Sequence, residues 1–297
     1  MIDEITSIIE DFGLKPEFRT NVIPPEDDVS TLFVIAGMQP LKHRFASSDG
    51  CQYASFQSCI RTNDLNQVGD GMHLTSFTMV GTFGFGSRNY EEHCALWDRV
   101  VRRLGIRVDV LRFHPDSSHQ EIWNHLGYKT EADTNCVWRA SESDEDSYCS
   151  EMFVGDVEIG NLVNPGHHSV DVGFGLERLV ALVEGVSTVD ASTLFDQRLP
   201  PVARDHKRTL ELLYANGIRP GNKGRQYVCR RLLRRLIREA GNFRDFNFAE
   251  MLEEEIRFFN QRLSIARRAW RRQQHQDASF WWETHGILPE EMDLVKN

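Results

Sequence analysis

The residues best suited to chemistry sit in two short stretches. Gly173-Phe174-Gly175-Leu176-Glu177-Arg178 directly follows Val170-Asp171-Val172. That order predicts a strand, a glycine-containing turn and a helix over 176–182. Glycines let a nucleotide approach the backbone closely, and a helix N-terminus favours anions. An arginine early in such a helix can fork onto phosphate oxygens. The run is not the dinucleotide fingerprint, because Arg178 stands where the third glycine belongs and no βαβ unit surrounds it. It equally suits a glycine turn with a surface Glu–Arg pair. The second stretch is Arg61, a polar loop, and then His73-Leu74-Thr75-Ser76-Phe77. An arginine on one strand and a His-x-x-x-Phe on the next could hold a triphosphate and stack an adenine ring. On a strand, His73 and Phe77 face the same side because their spacing is even. Taken alone, His73 is more commonly a satisfied core histidine.

Several elements must position these groups. Apolar spacing predicts a helix from Ile5 to Phe12, stopped by Gly13, and another from Glu91 to Leu104, stopped by Gly105. Leu32-Phe33-Val34-Ile35 reads as a short buried strand. Residues 75–85, 108–113, 157–163 and 169–172 read as further strands. Strands mixed irregularly with helices predict an α+β fold with an antiparallel sheet flanked by helices. Ser141 to Ser147 is polar and acidic and reads as an exposed loop. The Pro200-Pro201 pair breaks the chain, and the pattern beyond it is helical. Two domains follow, 1–199 and an all-helical 200–297. There is no internal repeat.

The 297 residues are 40% hydrophobic and 26% charged, as in an ordinary globular protein. The charge is unevenly spread. From residue 199 onward, 19 Lys and Arg face 13 Asp and Glu, a net +6, on a chain of −10. A basic end on an acidic body fits a polyanionic partner, or simply a solvated helical surface. Cys51, Cys59, Cys94, Cys136, Cys149 and Cys229 form no C-x-x-C pair, so neither a zinc knuckle nor a redox motif is suggested and reduced structural thiols are expected. No basic-then-apolar leader and no run of roughly 20 apolar residues is present, which makes a cytoplasmic location without membrane association the default expectation.

Together these stretches resemble motifs 2 and 3 of class II aminoacyl-tRNA synthetases, and in finer detail the alanyl-tRNA synthetase family. The matching segments are Leu32 to Met38, Cys59-Ile60-Arg61 with Asn63 to Gly69, His73 to Gly86, Glu158-Ile159-Gly160-Asn161 and Val170 to Arg178. Asn222 to Arg231 and Glu283-Thr284-His285-Gly286 continue the match in collinear order. The resemblance implies that ATP is used with Mg2+ held largely by its phosphates. It places Arg61 at the α-phosphate, Phe77 against adenine, His73 near the outer phosphates, Arg178 at the γ-phosphate and Glu177 beside them. Asp171 would pair with the substrate α-ammonium, since a buried carboxylate needs a cation. Trp138, Asn161 and Gly173 would bound the space for a small amino acid, alanine foremost. Asn222 and Glu283 would sit where the family reads the tRNA acceptor stem, beside a basic helical stripe of Arg230, Arg234 and Arg238 expected to contact phosphates.

The chain also departs from the family. The loop after Arg61 is short, Met72 replaces an arginine, Thr78 a glutamate, Gly160 a tryptophan and Glu283 an aspartate. The acidic 141–147 stretch replaces a segment rich in Gly, Pro and Cys. The family's editing domain, with its zinc-binding cluster, and its dimerisation domain do not follow the matched region, so no proofreading is expected. The sequence therefore leaves two acceptors in play: tRNA, for a minimal synthetase, or a carrier protein or metabolite, for a paralogue. A non-catalytic module is disfavoured by the presence of Arg61, Asp171 and Arg178.

Overall fold

A computed structural model of the chain describes residues 1–46, 50–86, 90–139, 146–240, 245–273 and 276–296. The backbone divides into two compact units, Met1–Leu194 and Phe195–Asn297.

The first unit is organised by one sheet. Its strands are β1 (Pro16–Arg19), β2 (Gln52–Ile60), β3 (Ser76–Gly84), β4 (Val110–Phe113), β5 (Thr130–Ala132), β6 (Val137–Trp138), β7 (Ser147–Val154), β8 (Val157–Asn164) and β9 (Val170–Gly175). They lie in the order β1-β2-β3-β9-β8-β7-β4-β5, with β6 added beside β7. The centre is antiparallel, as expected, but β1 pairs parallel with β2 and β4 parallel with β5, so the sheet is mixed at its flanks. Helices α1 (Ile2–Asp11), α2 (Tyr90–Arg103), α3 (His119–His125) and α4 (Leu176–Glu184) complete the unit.

Side-chain alternation gives the sheet two different faces. Val170, Val172 and Phe174 of β9 point into the main core, together with Val80 and Leu162 from the neighbouring strands. Helix α1 contributes Ile5, Ile8 and Ile9 to it at helical spacing, and α2 contributes Cys94, Trp97 and Val101. Trp97 stacks on Phe174 with ring centroids 4.2 Å apart. Glu91 and Glu92 open α2 while Arg102 and Arg103 close it, matching the helix dipole. The other face of β9 carries Asp171, Gly173 and Gly175, and there the sheet holds a cavity.

Two local expectations change. Leu32–Ile35 forms no strand: Phe33 and Val34 are buried while Leu32 and Ile35 stay largely exposed. Val34 N–H donates to Val22 O and Val34 O accepts from Ile60 N–H, so the run is a connector anchored by two apolar side chains. The glycines before Arg178 are strand rather than turn, because β9 runs through Gly175 and α4 starts at the next residue. Most of the 141–147 stretch lies outside the described residues; Ser147 opens β7.

The second unit is helical. It comprises α5 (Pro201–Ala215), α6 (Gly224–Glu239), α7 (Ala249–Gln273), the short α8 (Ala278–Phe280) running into a turn at Trp281–His285, and α9 (Met292–Lys296). Pro201 occupies the first helical position of α5, where its missing N–H costs nothing. Trp281 is fully buried with Ala266, Ile287 and Val295.

Candidate active site

A cavity of about 310 Å³ opens on the polar face of the sheet in the first unit. Its size falls within the roughly 300–1,000 Å³ usual for ligand pockets. Arg61, His73, Phe77, Trp138, Asn161, Asp171, Gly173, Glu177 and Arg178 all line it. Every sequence-predicted site residue of the first unit is therefore gathered in one place, although they span more than a hundred positions of chain.

Strand register explains the gathering. Asn161 pairs with Gly173, Val163 with Asp171, and Met79 with Gly175. Paired residues of an antiparallel ladder share a face, so these side chains converge. Glycine at 173 leaves room for the Met79 thioether, since a Cβ there would lie 2.7 Å from Met79 Sδ. On β8, Gly160 faces the core instead, where a Cβ would meet the Phe174 ring at 2.2 Å.

Asp171 is 8% exposed, and among the described residues no cation pairs with it. Burial alone pushes its carboxyl up to about 7. Beside it, the buried Asn161 Oδ1 accepts no hydrogen bond among the described residues. An unpaired carboxylate and an unpaired carbonyl oxygen on one wall form an acceptor pair suited to a cationic donor.

Along β3 the register sets Asp171 opposite Phe83 and the end of β2 opposite Ser76 and Phe77, so Arg61 lies toward the other end of the cavity. Arg61 follows the last residue of β2, donates from Nε to Ile35 O at 3.1 Å and holds its guanidinium 4.9 Å over the Phe77 ring. Arg178, in the first turn of α4, donates from Nη1 to Glu158 O at 2.5 Å. Glu177 is buried, and its two carboxylate oxygens accept the Thr78 N–H at 2.9 Å each, tying α4 to β3. His73 precedes β3 rather than belonging to it, so the shared strand face with Phe77 is not how the two meet. Asp70 positions it instead, accepting the Met72 and His73 N–H groups at 2.8 and 2.9 Å and contacting His73 Nδ1 at 2.6 Å. Burial opposes ionisation of Asp70, but these hydrogen bonds outweigh it and hold the carboxyl at about 2.

Sequence reading missed Met79, Glu158, Val163 and Asp64, which also line the cavity. Period-two counting from Phe77 and Asn161 reaches Met79 and Val163. Glu158 escapes such counting because a bulge at Met152/Phe153 shifts the register.

The five predicted residues of the second unit stand differently. Asn222 and Glu283 are exposed, and their segments are brought together by an edge-on contact of Tyr227 with Trp282 at 4.8 Å. The arginine stripe needs correction. Arg230 and Arg234 are only 7% and 2% exposed. Arg230 bonds Glu255 at 3.1 Å and also donates to Asn222 Oδ1. Arg234 bonds Glu255 at 2.8 Å and Glu291 at 2.8 Å. A buried guanidinium requires such partners, and α7 and the turn before α9 supply them. Of the three, only Arg238 is exposed, and its Nη1 reaches Glu290 O at 3.4 Å.

The family profile described as tRNA synthetases class II (A) matches residues 13–171 and 168–263. The chain belongs to the class II tRNA synthetases. Within that family it is 30% identical to the alanine–tRNA ligase of Neorickettsia sennetsu over 306 residues, covering 80% of this chain and 36% of that protein. It is 31% identical to the alanine–tRNA ligase of Tropheryma whipplei over 275 residues, covering 72% of this chain and 31% of that one. The chain thus spans about a third of the length of the curated relatives it matches. Among solved structures, the pyrrolysyl-tRNA synthetase of Desulfitobacterium hafniense is similar at 16% identity and a TM-score of 0.42, over 64% of this chain and 70% of that one.

Proposed function

We propose that the chain activates a small amino acid, alanine foremost, with ATP, and passes the aminoacyl group to tRNA. The observation that carries this reading is the polarity of the cavity: the unpaired Asp171–Asn161 wall at one end and Arg61 with Arg178 at the other. The substrate α-ammonium sits on Asp171 and donates to Asn161 Oδ1. Its carboxylate then faces the cationic end, attacks the α-phosphorus and forms the acyl–phosphate bond as the bond to pyrophosphate breaks. Arg61 stabilises the negative charge that accumulates at the α-phosphate, and Arg178 stabilises the departing phosphates. Phe77 offers a ring for the base. Trp138, Val163 and Met79 limit the space for the side chain, although one methylene separates glycine from alanine by only about 1–3 kcal/mol. Asp64 and Glu158 offer hard oxygen donors suited to Mg2+ carried on the phosphates, which would neutralise pyrophosphate charge.

A second acceptor, a carrier protein or a small metabolite, is favoured by one observation. Glu255 and Glu291 engage Arg230 and Arg234, which removes most of the expected phosphate-binding stripe. Pyrophosphate exchange with each of the twenty amino acids, followed by tRNA charging, tests both steps. Exchange best with alanine and charging of tRNA support the first reading. Exchange without charging leaves the second, and no exchange by folded protein overturns both.

A further inference from the structure

Beside the cavity lies a group of side chains with no part in the chemistry above. Cys149 and Glu151 are two residues apart on β7 and so point to one face; Cys136 precedes β6, and its carbonyl accepts the Cys149 N–H at 3.1 Å. The two sulfurs and a Glu151 carboxylate oxygen all lie within 4.8 Å of one another. Cys136 and Cys149 are 0% and 1% exposed. We propose that Cys136, Cys149 and Glu151 bind a divalent, thiophilic metal ion such as zinc.

Three observations support the assignment. Zn–S and Zn–O bonds of about 2.3 and 2.1 Å at a tetrahedral angle place sulfur and oxygen about 3.6 Å apart. Cys149 Sγ lies 3.7 Å from Glu151 Oε1, so this pair needs almost no rearrangement. The donor set, two thiolates and one carboxylate, selects zinc-like ions over magnesium or calcium, which take oxygen ligands. At Glu151 the negative charges of Glu158 and Asp133 each outweigh the positive charge of Arg112, which favours a cation over a bare thiol pair. Both thiols give their protons to solvent on binding, and three protein ligands leave a fourth position for water.

The placement matters for the neighbouring cavity. Cys149 pairs with Val163 and Glu151 with Asn161, so the site lies on the cavity face one strand behind that wall. Trp138 packs on Cys136, Cys149 and Val163. β6 is held to β7 by only two residue pairs. A metal joining Cys136 to β7 would pin β6, which carries Trp138.

The test is cobalt titration of the intact chain after chelator treatment under reducing conditions, with metal content measured in parallel on untreated protein. One ion per chain and a thiolate-to-cobalt charge-transfer band, displaced by zinc, are expected. Cys149→Ser should weaken binding by more than the roughly 10–100-fold that losing an outer partner costs. Glu151→Gln should weaken it while keeping the charge-transfer band. A cobalt spectrum without thiolate charge transfer overturns the proposal. So does a Cys136–Cys149 disulfide in protein that takes up no metal after reduction. The wild-type titration decides the matter even where a variant fails to fold.

Discussion

Burial lifts the Asp171 carboxyl to about 7, against about 3.9 in an unfolded chain, and that difference has a sign. Between those values the folded protein holds a proton that the unfolded chain releases, so stability falls as pH rises through the window. Above 7 the buried charge costs at most about 4 kcal/mol, since each tenfold change in proton affinity is worth about 1.36 kcal/mol. Asp171→Asn keeps the shape and removes the charge. We expect the variant to melt at a higher temperature than wild type at pH 8 and at nearly the same temperature at pH 4. Amino acid affinity should fall while ATP binding stays nearly intact. Thermal melts across pH beside equilibrium binding measure both effects. Equal loss of ATP and amino acid affinity would detach Asp171 from the ammonium.

At the scale of elements, the site depends on how closely β3 and β9 approach. A Cβ on Gly81 would lie 2.0 Å from Val172 O, a backbone atom that cannot swing aside. Gly81→Ala should therefore force the two strands apart, costing at least the 1–3 kcal/mol typical of overpacking and lowering the melting temperature. Gly173→Ala meets the flexible Met79 thioether instead. It should be tolerated better in a melt while shrinking the cavity and weakening alanine binding. In the helical unit, the element that matters is the charged seam of α6. Arg234→Ala leaves Glu255 with one partner fewer and Glu291 without its guanidinium, and about 3–5 kcal/mol should be lost, as for other broken buried pairs. Arg238→Ala, at an exposed position, should stay within about 0.5 kcal/mol of wild type. Urea denaturation of the two variants separates these expectations.

Over the whole molecule, charge asymmetry persists although the α6 stripe is largely internal. Arg268, Arg271 and Arg272 of α7 are exposed at helical spacing and present positive charge to solvent. If the chain meets an acceptor stem, these three are available to its phosphates, as are the exposed Arg238, Arg257 and Arg267. Replacing the three with alanine should lower the slope of log affinity against log salt by about 2–3, because each phosphate a side chain neutralises adds about 0.7–0.9 to that slope. Binding should weaken uniformly across sequences. Filter binding at several salt concentrations checks this, and an unchanged slope would place the RNA elsewhere or remove it.

Sequence alone determined the features that repeat locally or stand adjacent in the chain. Amphipathic spacing marked α1 and α2 and glycines marked their ends, whereas the Val-Asp-Val-Gly-Phe-Gly run read as a strand and a turn, and its core and functional faces became distinct only in the continuous strand β9. The motif residues of the first unit were also legible, because Arg61, Asp171 and Arg178 sit in short recognisable runs. Tertiary structure alone decided what depends on partners distant in sequence. Arg230 and Arg234 look the same as Arg238 in a helical pattern, and only Glu255 and Glu291, brought in from other segments, make them internal. The 32–35 run has the composition of a strand, but Val34 bonds Val22 and Ile60 without the run entering the sheet. Cys136 stands 13 residues before Cys149, a spacing that signals nothing until β6 folds back on β7. Spacing rules describe one element at a time, whereas burial, ion pairing and ligand geometry are properties of pairs that the fold creates.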